Sequence, residues 1–200
     1  NQEIKPFNVT FNGDLGSGYG NFSLLDFNFS LLSLVLPIPS AIDGHFGFKG
    51  KYTLANANPK VNLEMVLDDT KIYNRNIILD NGKIIYEDNY LAFDIGIRDE
   101  SSENPVLLTG VYPLSNSSPI DLKVESHGDG LAFLTGFSQG SVSWKSGTID
   151  LSLIVRGTSA KPVANGFMVL KNSDLFFKDK EINNLNSTIV FDFNRVDVRK

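Results

Sequence analysis

The chain contains no cysteine. That excludes a disulfide framework, a cysteine-based zinc site and a thiol nucleophile. Histidine is scarce as well, with only His45 and His127. Neither stands at metal-ligand spacing from a second histidine or a carboxylate pair, and His127, next to Gly128-Asp129, reads as a turn residue. Basic residues are not clustered, and the net charge is −5. Phosphate binding needs grouped Lys and Arg, so nucleic acid is not an expected partner. The same charge pattern argues against a polybasic contact with an anionic membrane surface. Long apolar runs are missing too. The longest, Leu31 to Ile42, is broken by Pro37 and Pro39 and is too short to span a bilayer. No long amphipathic helix can be traced, which argues against βαβ and helical-bundle folds.

Catalytic signatures are equally sparse. Gly13-Asp14-Leu15-Gly16-Ser17-Gly18 lacks the Lys-Ser/Thr of a phosphate loop. No G-x-S-x-G elbow supports a nucleophilic triad. Asp68-Asp69 lacks the oxygen series of a calcium loop and reads as a turn. Sequons such as Asn8-Val9-Thr10 and Asn186-Ser187-Thr188 are ordinary in a chain this rich in Asn and Ser. These readings point to no enzyme, metal or cofactor.

What is present is alternation. Phe7, Val9 and Phe11 alternate with polar residues, as do Leu25, Phe27, Phe29 and Leu31. The same period of two runs through Val61, Leu63, Met65 and Leu67, through Leu91, Phe93, Ile95 and Ile97, and through Ile120, Leu122 and Val124. Asn12-Gly13, Asn81-Gly82 and Asp88-Asn89 read as turns between strands, since Asn-Gly favours the positive φ of a type I′ turn. Asp99 to Asn104 and Ser115 to Ser118 read as loops. Two stretches break the period: Ser30–Leu36 and Asp129–Phe137 read as short helices that plug or cap the fold.

The pattern also repeats. Gly44 leads Phe46, Phe48, Tyr52, Leu54 and Pro59; Gly147 leads Ile149, Leu151, Leu153, Val155 and Pro162. The offset is 147 − 44 = 103 for the glycines and 162 − 59 = 103 for the prolines. Downstream, Ile84 and Tyr86 match Ile189 and Phe191 at 189 − 84 = 105. Two related units result, about 20–113 and about 119–200, in a repetitive β architecture built by stacking. Such a shape suits a surface or groove better than a compact catalytic pocket. One face of each strand is apolar and must be covered. Alternation alone leaves a closed sandwich, a barrel and an open groove all standing.

The run Ser143 to Leu170, with Gly147-Thr148, Gly157-Thr158, Pro162 and Gly166, resembles the translocation and assembly module family, TamB. There a glycine-led strand is followed by G-T-x-x-x-P, a small residue, and a second glycine-led strand. Leu175-Phe-Phe through Asn183 to Phe191 resembles the family's next strands. The first unit diverges, with Leu54-Ala55 where the second has Gly157-Thr158. The resemblance covers most of residues 20–200. It implies an all-β fold: a long, curled, antiparallel-rich sheet, a β-taco or open half-barrel groove, with one or two short helices. It implies one segment of a protein anchored in the inner membrane and crossing the periplasm of a Gram-negative or cyanobacterial cell, with the chloroplast intermembrane space as a lesser option. Membrane contact would then lie outside this segment.

On that basis the expected function is phospholipid transport to the outer membrane and envelope biogenesis. Phospholipid acyl chains and a TamA-like outer-membrane barrel are the implied partners. An extracellular β-sandwich adhesin or ligand-binding domain is the alternative. The groove lining would be Phe46, Phe48, Tyr52, Val61, Leu63, Met65, Ile84, Tyr86, Leu91, Phe93 and Ile95 from the first unit. From the second it would be Ile149, Leu151, Leu153, Val155, Met168, Leu170, Ile189 and Phe191. Burying a sixteen-carbon chain removes roughly 13 kcal/mol of hydration cost, at about 0.8 kcal/mol per methylene, so no catalytic residue is needed. Roughly fourteen strands at about 4.8 Å spacing would make a trough on the order of 65 Å long.

Overall fold

The computed structural model describes residues 7–14, 18–32, 42–55, 58–73, 75–133, 135, 141–178, 180–193 and 195–199. Alternating sequence becomes strand throughout. The elements are β1 (Asn8–Asp14), β2 (Tyr19–Asn28), α1 (Phe29–Leu32), β3 (Ile42–Ala55), β4 (Asn58–Ile72), β5 (Arg75–Glu87) and β6 (Tyr90–Asp99). They continue with β7 (Val106–Pro113), β8 (Pro119–Ser126), β9 (Val142–Thr158), β10 (Lys161–Phe177), β11 (Lys180–Phe193) and β12 (Arg195–Arg199). All twelve form one sheet in chain order, each antiparallel to the next. Sequential order needs only short connections, which keeps the pairings local.

The sheet is neither closed nor strongly curled, which corrects the expected β-taco or half-barrel groove. Among the described residues the first and last strands are not paired with each other, and the extensive packing between strands runs from each to its neighbour in sequence. A second sheet is likewise absent among the described residues, so the β-sandwich alternative is corrected too. Alternation decides which side chains share a face. Curvature comes from twist and from where bulges fall, which a period of two does not encode.

Twelve strands stand among the described residues where roughly fourteen are expected in the chain, and two Asn-Gly pairs expected to be turns lie within strands. Asn81 pairs with Gly96 and Gly82 with Ile95 inside an uninterrupted β5. Gly82 is needed for space instead: a Cβ there would lie 2.8 Å from Leu79 Cδ2 and from Met65 Cβ. Gly13 continues β1, with a Cβ position 2.5 Å from the Cα of its partner Gly20. Asp88-Asn89 is the true β5–β6 turn, with φ of 49° and 63°. Asp68-Asp69 lies within β4, where Asp69 takes a φ of 45°.

The two stretches expected to be helical, Ser30–Leu36 and Asp129–Phe137, are described only in part, with 134, 136 and 137 of the second outside the described set. Phe29–Leu32 is a single helical turn, its start held by the Asn28 side chain accepting from Ser30 N–H at 2.7 Å; residues 33–36 lie outside the described set. In the second stretch, 128–131 is a turn followed by a short 3-10 turn at 132, 133 and 135. Asp129 does not cap a helix. Its carboxylate accepts from Glu103 N–H at 3.1 Å, Asn104 N–H at 3.3 Å and the Asn104 amide at 3.1 Å, clamping the β6–β7 loop. Phe133, 1% exposed, packs with Ile72 and Ile77, bordered by Ile42, Leu67, Ile97 and Val106. The β8–β9 connection thus reaches back over one end of the sheet.

Candidate functional site

Cross-strand pairing carries side chains from one strand to the same face of the next. One row runs Phe11, Phe22, Gly50, Leu63, Ile84, Phe93, Gly110, Leu122, Val155, Ala164. A second runs Gly82, Ile95, Leu108, Val124, Leu153, Gly166, Phe191. A third runs Leu79, Ile97, Val106, Ser126, Leu151, Met168, Ile189, Val198. Tyr52, Val61, Tyr86 and Leu91 form a fourth; Phe46 faces Leu67, Phe48 faces Met65, and Ile149 faces Leu170. The structure therefore brings every residue of the expected lining onto one face.

That face is not a groove. Phe46, Ile149 and Leu170 are buried, while most of the others are only half-buried in a single layer. Shallow hollows among the described residues include ones lined by Val169, Lys171 and Asn186, by Arg75, Asn76 and Glu100, and by Asp121, Lys123 and Arg156; of the expected lining, Leu170 alone borders any of these three. With no curled sheet to enclose an acyl chain, the expected lipid-conducting segment is corrected as well. No helix among the described residues is long and apolar enough to cross a membrane.

Bulk is uneven across the face. The β2–β3 end is aromatic: Phe27 and Phe46 meet edge to face at 5.2 Å and Phe46 and Phe48 at 5.8 Å, Phe29 and Phe46 are tilted at 4.9 Å, and Tyr52 stacks on Phe11 at 5.9 Å. Glycines make room for these rings. Phe22 covers Gly50, and Tyr52 covers Gly20. At the β9–β10 end the face carries Gly157, Ala164 and Gly166.

The opposite face carries the charged side chains, with ion pairs Arg98–Asp80, Lys171–Asp150 and Lys60–Glu87 at 2.8–3.0 Å, alongside apolar residues such as Ile154, Phe167 and Val169. His127 Nδ1 stands 3.4 Å from Asp150, whose carboxyl is held below the usual range chiefly by the Lys171 ammonium. No group of three or more His, Asp or Glu side chains that could hold a metal gathers among the described residues.

The two edges differ. β1 reads Asn-Val-Thr-Phe-Asn-Gly-Asp, exposed throughout, with Val9 62% and Phe11 55% exposed. It carries no Lys, Arg or Pro, the usual guards against edge pairing. β12 reads Arg-Val-Asp-Val-Arg, with a charge at every second position.

Sequence reasoning missed a shared device that both glycine-led strands carry. At Gly44 and Gly147 the register slips and the partner strand bulges at Asp69 (φ 45°) and Asn172 (φ 46°). Thr70, buried in that bulge, donates its hydroxyl to His45 O at 3.0 Å and Asp68 O at 3.3 Å. Ser173 donates to Thr148 O and Lys171 O, each at 3.2 Å. Each residue of the first set lies 103 positions before its counterpart, as 173 − 70 = 103 and 172 − 69 = 103. The 103-residue offset could have pointed to Thr70 and Ser173, had the polar positions been compared as well as the apolar ones. No protein-family model, no curated protein and no solved structure matches this chain.

Proposed function

We propose that this chain is a non-catalytic section of a repetitive β-scaffold that is extended by strand pairing along its edges. The single observation that carries this is the topology: a strictly sequential meander whose two edge strands each pair on one side only among the described residues. An even number of strands leaves β1 and β12 antiparallel to each other, so a following unit continues the same alternation. Unpaired edge amides and carbonyls are strong hydrogen-bonding groups and template a further strand. The recurring bulge supports a repeated unit, and the resemblance to the TamB family supports the setting, a periplasmic scaffold. A TamA-like barrel would then be met by strand addition.

A direct head-to-tail fusion of two copies tests the reading. Amide exchange in β12 of the first copy and β1 of the second is expected to slow at least about tenfold relative to the single chain, while the outer edges stay fast. Junction amides that exchange as fast as in the single chain sink the proposal.

A further inference from the structure

Phe133 covers the first unit from within the second. It lies in the β8–β9 connection and packs on Ile72 of β4 and Ile77 of β5, with Ile42, Leu67, Ile97 and Val106 around it. Under that ring Ile72 and Ile77 are each 7% exposed. The same seat recurs six strands on, and there it is open. The bulge shared by β3 and β4 returns in β9 and β10. Just past the first bulge, Ile42 pairs with Ile72, and Ile72 with Arg75. Just past the second, Trp144 pairs with Leu175, and Leu175 with Ile182. Leu175 keeps the offset of the bulge residues, 175 − 72 = 103. Where the first row ends in Arg75, the second is apolar throughout. Trp144 and Leu175 are half-buried, and Ile182 is 37% exposed.

We infer that the row Trp144, Leu175 and Ile182 is the seat for the helical turn of a following unit, laid over it as the β8–β9 connection is laid over the first. The inference rests on the chain being one section of a repeated scaffold, as proposed above, and names a contact that its extension makes. In such scaffolds each unit buries its apolar surface against its neighbours, so a cover present between two units is expected between every two.

Repetition identifies the occupant. α1 lies between β2 and β3 as the 3-10 turn lies between β8 and β9, and Phe29 precedes Ala132 by 132 − 29 = 103. Phe29 packs on its own Phe46, whereas Leu31 is 39% exposed. α1 therefore holds an apolar side chain ready for a neighbour. The reach agrees as well. From the β8–β9 connection, the Phe133 cluster touches β7, β6, β5, β4 and β3. From between β2 and β3 of a following copy, the same reach crosses its β1 and then β12, β11, β10 and β9 of the copy before, where Trp144 stands.

Trp144 is the single tryptophan, so the seat carries its own reporter. In the head-to-tail fusion, with Trp144→Phe in the second copy, the remaining indole is that of the first copy's seat. Its emission is expected to shift to the blue, and its quenching by acrylamide to fall at least about twofold relative to the single chain, as the ring is buried. Leu31→Asp in the second copy is expected to reverse both, because a carboxylate would enter the seat without a partner. Leu31 is exposed in the single chain, so the substitution leaves the copy that carries it folded. Junction amides of β12 and β1 report edge pairing separately. Slow junction amides beside an indole as accessible as in the single chain would overturn the seat and leave edge pairing standing. A shielded indole beside fast junction amides would keep the seat and sink edge pairing. Shielding that survives Leu31→Asp would overturn the inference. So would shielding by phosphatidylcholine vesicles in the single chain with none in the fusion, which would give the row to a lipid surface.

Discussion

Gly147 lies so close to the backbone of Ser173 that a Cβ on the glycine would stand 2.5 Å from the serine Cα. Gly44 stands in the same relation to Thr70, at 2.6 Å. Both glycines also hold positive φ, 103° and 110°. Two independent constraints thus meet at each position, a left-handed backbone and a close approach to a neighbouring strand.

Gly147→Ala and Gly44→Ala are each expected to destabilise the chain by about 1–3 kcal/mol. Urea denaturation followed by the fluorescence of Trp144, the single tryptophan, measures the loss. A midpoint unchanged in both variants would remove the bulge as a structural determinant.

Ser173→Ala is expected to cost about 1 kcal/mol, since Ser173 is fully buried and its hydroxyl serves the carbonyls of Thr148 and Lys171. Thr70→Val should behave alike. Ser173→Thr should rescue part of the loss, because Thr70 performs the same bonding in the other bulge. Indifference to the hydroxyl at both sites would contradict the hydrogen-bonding role.

Phe133→Ala is expected to cost about 3–5 kcal/mol, by removing the ring that closes over Ile72 and Ile77. Amide exchange should quicken first at the β4–β5 end, where those residues sit, and later at β11. Uniform quickening across the sheet would argue that the β8–β9 connection is no local cover.

Asp99 links pH to stability. Its burial favours the neutral acid. The Ser101 N–H, the Arg75 guanidinium and the Ser101 hydroxyl outweigh that and hold its carboxyl below the usual range. The folded pKa is therefore depressed. The stabilisation is present above the unfolded value of about 3.9 and is lost as pH falls through the folded value. Asp99→Asn is expected to flatten the acid limb of a stability–pH profile below about pH 4, with lower stability at pH 7. An acid limb as steep as in the wild type would exclude Asp99 as a contributor.

Sequence by itself determined the class of structure and the composition of each face. The alternation of Leu91, Phe93, Ile95 and Ile97, and of Ile149, Leu151, Leu153 and Val155, depends only on the two-residue period of a strand. Side chains so spaced share a side whatever the tertiary fold. The 103-residue offset of Gly44 and Gly147 is also a local property, because a glycine forced by positive φ and close approach leaves its mark at one position. Tertiary structure decided the rest. Whether Asn81-Gly82 turned or ran on depended on Leu79 and Met65 arriving above Gly82. Whether Asp129 capped a helix depended on the β6–β7 loop coming within its reach. Curvature was the largest of these decisions. The sum of twist and bulge over twelve strands sets whether an apolar face wraps into a groove or stays open, and that sum is a property of the assembled sheet.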